Sequence, residues 1–160
     1  MFSTGGREGP FKYARAPSAA IFLPVPTLTR WFLRAAMLHL VAAILLALLM
    51  AVPSLAPAAA PWRPVYIHLL VVGWATQMIF GVAYWMFPRT EPLDLTAVPW
   101  TGWTCFWTLN VGLVVRAASE PLIATHPSAL AAAGAVAAAA LQLMAVTAFV
   151  WLTWSRVKTR

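Results

Sequence analysis

Four apolar stretches without proline alternate along this chain with short segments where prolines and charges gather. They run over 27–52, 65–87, 100–120 and 128–160, each long enough for the roughly 20-residue helix that a bilayer core requires. Proline breaks helix interiors and favours boundaries, so the thirteen prolines act as punctuation. The pattern predicts an all-α, integral membrane four-helix bundle, with helices at about 31–52, 65–87, 98–117 and 128–154. Residues 1–30 are then a cytoplasmic or interfacial N-terminal segment, 31–154 the membrane domain, and 155–160 a basic cytoplasmic tail.

Composition agrees. Of 160 residues, 62% are apolar and 9% charged, against about 25% charged in an ordinary soluble domain. The net charge of +7 does not point to nucleic acid, because the cations sit at the ends of apolar runs. Arg7, Lys12, Arg15, Arg30, Arg34, Arg89, Arg156, Lys158 and Arg160 fall on one side, and Arg63 and Arg116 on the other. By the positive-inside rule both termini are expected to be cytoplasmic. The piece "SAAIFLPVP" is short and interrupted by Pro24 and Pro26, so residues 1–26 do not read as a signal peptide.

Little hydrolytic chemistry is visible. Cys105 is the only cysteine, which leaves no intrachain disulfide and no thiolate cluster, and it reads as a small apolar filler. Glu8, Glu91, Asp94 and Glu120 all fall outside the predicted spans, and neither a glycine-rich phosphate loop nor a Ser–His–acid set is present. Hydrolysis and phosphoryl transfer have no machinery on this reading.

The three histidines carry most of the information, because an ionisable side chain inside a span is costly without a partner. With boundaries at Pro64–Val65 and Arg34, His68 lies roughly 5 Å inside the outer edge and His39 roughly 7 Å inside the inner edge. In a layer of about 30 Å they are some 18 Å apart along the normal, too far to ligate one haem iron within a protomer. His126, in the outer loop "EPLIATHPSAL", is closer in depth to His68. Met50 is also expected near that outer boundary, while Met144 lies too far toward the cytoplasm. On the second helix His68, Val72, Ala75, Ile79 and Met86 share one side at helical spacing, with Gly73, Gln77 and Gly81 nearly opposite. The second stripe suits close helix packing and an interhelical hydrogen bond. Spacing alone leaves His68 open between a hydrogen-bonded structural residue and a ligand.

The pattern H-x4-G-W-x4-I-F-G-x2-Y-W-x2-P-R, from His68 to Arg89, resembles the second helix of the catalytic subunit (subunit I) of haem–copper oxidases and nitric oxide reductases. The resemblance covers roughly 60–90, with only a general likeness over the first helix. It implies a short, divergent member in a bacterial cytoplasmic (inner) membrane, with His68 as an axial ligand of haem b. Gly73, Trp74, Phe80, Gly81, Tyr84, Pro88 and Arg89 match the pattern as packing or boundary residues. The family's catalytic subunit has about twelve helices and six histidine ligands, whereas this chain has room for four helices and holds three histidines. A complete oxidase or nitric oxide reductase is therefore excluded for a single chain. Four second axial positions remain open: His126, Met50, His68 of a second copy across a twofold interface, or an open site for a gas.

Other features are read as structural. Trp100 and Trp103 suit an interfacial belt and Trp107 packing, and Asn110 suits an interhelical hydrogen bond. Ala131, Ala135 and Ala139, with Gly134 and Ala138, give the fourth helix a close-packing surface. Ser128 is placed to cap that helix. His39 is expected to bond a carbonyl or Gln77, or else to ligate a second, inner-side haem with its symmetry mate. The leading expectation is a haem b protein in electron transfer or in sensing or handling haem, nitric oxide or oxygen. It would be a homodimer among membrane lipids, with a possible respiratory-chain redox partner. The alternative is a cofactor-free accessory or assembly subunit of a respiratory oxidase or reductase. A small transporter is disfavoured by the lack of a charged or proline-broken span.

Overall fold

The computed structural model describes residues 25–86 and 100–154, and the elements among them are all helical. They form four helices: α1 (Thr27–Ala51), α2 (Ala56–Met86), α3 (Trp100–Thr125) and α4 (Ala129–Trp154). The N-terminal segment to residue 24, the loop with Arg89, and the basic tail lie outside the described residues.

Among the described residues, α1, α2 and α4 are long and apolar enough to cross a membrane. The helix α3 matches them in length, but Asn110, Arg116 and Glu120 interrupt its apolar character. The exteriors are apolar, with Leu38, Ile79, Val114, Leu130, Val136 and Leu143 all exposed, as for helices facing hydrocarbon rather than water.

Three boundaries differ from expectation, and the first helix begins at Thr27 rather than about 31. The second helix begins at Ala56 rather than 65, because its prolines do not break it. Pro57, Pro61 and Pro64 each occupy the first turn of an α, a 3₁₀ and another α segment in succession. A missing N–H costs little there. The third helix continues through Pro121 to Thr125 instead of stopping at 117. Beyond it, the His126 N–H donates to Leu122 O at 2.7 Å, closing the final turn.

Successive helices run antiparallel. Close approaches at Gly73 to His39 and at Gly81 to Phe32 join α1 to α2, and Gly112 meets Ala138 and Gln142 between α3 and α4. The alanine surface of α4 is used at Ala131, Ala138 and Ala145, all buried, with Gly134 against Ser119. Ala139 faces outward, so the packed stripe follows a seven-residue repeat instead of the 131/135/139 row. Ser128 caps α4, its Oγ accepting from the Ala131 N–H at 3.2 Å.

Packing sorts into tiers along the bundle. At one end Leu28, Phe32, Phe80, Tyr84, Cys105, Phe106, Leu109 and Ala145 form an apolar core. Phe80 stacks on Phe149 with centroids 3.8 Å apart, and Phe32 meets Phe106 edge-on at 5.2 Å. Pairs of this kind contribute about 1 kcal/mol each beyond their buried area. A buried amide layer follows, and beyond it comes a charged cluster. Those two tiers hold the functional candidates.

Candidate functional site

His68 stands at the end of an α segment, Arg63–His68, that leads into an eight-residue π segment, Leu69–Thr76. Its Nδ1 lies 2.9 Å from Pro64 O and 3.4 Å from Glu120 Oε1 of α3. Both neighbours only accept, which assigns the proton to Nδ1; in the neutral ring the lone pair is then on Nε2. Glu120 Oε1 also accepts from Arg116 Nη1 at 3.0 Å, one helical turn away. The two charged side chains are largely buried, at 11% and 15% exposure, and that of His68 is 30% exposed. Glu120 Oε2 and Arg116 Nε are buried without a hydrogen-bond partner among the described residues.

The sequence pattern puts Glu120 outside the third span, which it ends at 117, whereas α3 runs on through Pro121 and carries both Arg116 and Glu120. The spacing Arg-x3-Glu was the available signal, since residues four apart share a helix face.

The π segment overturns the predicted faces of the second helix. At about 100° per residue, His68 and Gln77 would lie on opposite sides of an α-helix. The wider i→i+5 turn rotates less per residue, so both side chains reach α3. Thr76 Oγ1 donates to Val71 O at 2.9 Å, five residues back and in step with that turn. Ile79 and Met86, grouped with His68 by spacing, instead point outward at 62% and 69% exposure.

Gln77 is fully buried and forms a reciprocal amide pair with Asn110 of α3. Its Nε2 donates to Asn110 Oδ1 at 3.2 Å, and Asn110 Nδ2 donates back to Gln77 Oε1 at 3.3 Å and to Phe106 O at 2.8 Å. His39 lies beside them, with Nδ1 2.7 Å from Ala35 O and 3.3 Å from Gln77 Nε2. The shorter contact puts the proton on Nδ1. The Asn110 bond to Phe106 O fixes the orientation of both amides, with the Gln77 N–H toward the ring, so Gln77 is a neighbour of that nitrogen and not its donor. His39 thus bonds a carbonyl of its own helix, one of the expected arrangements. Only glycine fits at 73, where a Cβ would stand 2.8 Å from His39 Cβ and Cγ.

This contact also corrects the depth separation. His39 is level with Gly73, five residues from His68, which is about 7 Å along the axis rather than 18 Å. The larger figure came from taking Arg34 and Pro64 as edges, although both helices extend well beyond them. His39 and His68 still do not meet, since His39 packs from α1 against Gly73 of α2 and His68 is turned from α2 to α3.

The other candidates lie apart from His68. His126 is exposed in the α3–α4 turn, its Nδ1 3.1 Å from Thr125 Oγ1. Thr125 Oγ1 donates to Pro121 O, so the imidazole is the donor between them. Met50 is half-buried in the last turn of α1. No hydrogen bond or ion pair among the described residues joins His68 to His39 or His126. Trp103 packs edge-on to Trp31 and Phe106, and Trp107 meets Phe106 edge-on at 5.4 Å while remaining 56% exposed. Cys105 is buried as filler.

Among the described residues there is no group of three or more His, Cys, Asp or Glu side chains that could hold a metal ion. Apolar surface grooves lie along α4 beside Trp151, along α3 beside Trp103, and between α1 and α2 beside Leu55; the residues lining them do not include His68. Compared with protein-family models, curated proteins and solved structures, the chain matches none.

Proposed function

We propose that the chain is a haem b-binding protein of a bacterial cytoplasmic membrane that carries electrons, with four spans and both termini cytoplasmic. His68 is the axial ligand. The observation that carries this reading is the state of its ring: Nδ1–H is engaged by Pro64 O and faces Glu120, which leaves Nε2 as the donor atom. A ligating histidine characteristically donates its other N–H to a carbonyl or carboxylate in this way. The ring's partial exposure gives an approaching iron access. A bound haem supplies a one-electron Fe(III)/Fe(II) couple.

The residues fit one axial position. His126 bonds within its own turn and Met50 ends α1, so neither has a contact that draws it to His68. A second copy's His68, related by a twofold axis, completes the ligation in this reading, and the protein is a homodimer surrounded by lipid. The test is the optical spectrum and pyridine haemochrome of the purified full chain expressed with ample haem. The expected result is a b-type spectrum, one haem per two chains, and loss of haem in His68→Ala but not in His126→Ala or Met50→Ala. One haem per chain would rule out the shared site, and the lack of any Soret band would rule out haem.

A cofactor-free accessory subunit is the second reading. It is favoured by the internal pairing of Gln77 with Asn110 and of Arg116 with Glu120, which serves packing with no cofactor present.

A further inference from the structure

We infer that Glu120, held by Arg116, is a positioning residue for His68: it polarises the imidazole through Nδ1–H and makes Nε2 a stronger electron-pair donor. The part of this inference that concerns iron rests on the haem reading above, while the part that concerns the ring does not.

Pro64 O alone would be enough to choose the tautomer, being 2.9 Å from Nδ1 in the same helix. Glu120 adds a charge, which a backbone carbonyl cannot. Its Oε1 lies 3.4 Å from Nδ1 and 3.0 Å from Arg116 Nη1, so one oxygen bridges imidazole and guanidinium. Arg116 pins the carboxylate on the turn of α3 that faces His68. Little water reaches either charged side chain, so the field at the ring is screened far less than at a surface. A carboxylate against Nδ1–H shifts electron density toward Nε2 and strengthens it as a donor. Toward haem, a stronger donor favours Fe(III) over Fe(II) and lowers the reduction potential.

The test uses the full chain in detergent micelles with 15N-labelled histidine, the resonances being assigned with His68→Gln and His126→Gln. Without haem, His68 is expected as the Nδ1–H tautomer. Glu120→Gln should move its 15N resonances toward those of a free neutral imidazole, and the charge-conserving Arg116→Lys should leave them in place. With haem bound, Glu120→Gln should raise the midpoint potential by the equivalent of about a tenfold change in ferric preference, about 59 mV for one electron. Should Glu120→Gln fold poorly, Glu120→Asp, which keeps the charge but withdraws it by one methylene, should give a smaller shift of the same sign. An Nε2–H ring in the wild type overturns the inference, as do 15N resonances and a potential that Glu120→Gln leaves unchanged. If the wild type takes up no haem, the haem reading fails, and the 15N shifts alone decide the role of Glu120.

Discussion

His68 and Gln77, nine residues apart on α2, both reach α3: one faces Glu120 at 3.4 Å and the other pairs with Asn110 at 3.2 Å. A regular α-helix would turn one of them away. The π segment between them sets the phase. A π turn behaves as an α-helix with one residue too many. Deleting the exposed Val71 returns regular geometry with the two side chains eight apart, about 80° around the helix. That deletion should leave unfolding in an SDS titration nearly unchanged, whereas inserting one alanine after Val71 should destabilise clearly. Equal damage from both changes would show that the π segment does not set the phase.

The amide pair gives a second expectation. Gln77→Leu or Asn110→Leu strands the remaining amide among apolar side chains and should cost about 1 kcal/mol each. The double variant should cost less than the sum of the two, which a double-mutant cycle by SDS unfolding would measure. Strict additivity would mean that the two amides do not act as a pair.

At Gly73 the constraint is steric. A methyl group there would press on His39 at Cβ and Cγ, atoms near the backbone that cannot swing aside. Gly73→Ala should therefore destabilise by about 1–3 kcal/mol. Adding His39→Ala removes the Cγ contact but leaves the Cβ in place, so it should recover only part of that loss, and the midpoints of thermal unfolding would show how much.

The ion pair should behave asymmetrically. Arg116→Leu or Glu120→Leu leaves one buried charge uncompensated and should cost about 3–5 kcal/mol. The double leucine variant should be far less harmful, because the pair offsets its own desolvation only when both members are present. Comparing the three variants in one SDS titration checks this, and a double variant worse than either single one would contradict it.

Much of the fold was legible because apolar runs between prolines are long and few other patterns place them. Ser128 as a cap, the glycine stripe of α2 and the interhelical role of Asn110 all follow from local chemistry, and the structure contains each. What could not be read was phase and extent. Pro57, Pro61, Pro64 and Pro121 look like breaks in a linear pattern, yet the first three stand in first turns where a missing N–H is tolerated, and Pro121 is carried inside α3 near its end. The π segment adds a rotation that no 3.6-residue template contains, which set His68 on the wrong side of the helix. Glu120 was missed for the first reason, and the offset between His39 and His68 was overstated for a related one.

The order of synthesis gives the polar tiers a further meaning. Made on its own, α3 would bring an amide and two charges to the translocation machinery with nothing to pair the amide. The groups that receive Asn110 and Glu120 are Gln77 and His68, both on α2 and both already made when α3 emerges. In the proposed four-span arrangement the chain carries its most polar long helix behind a docking template for it, and α3 would enter the bilayer directly against α2.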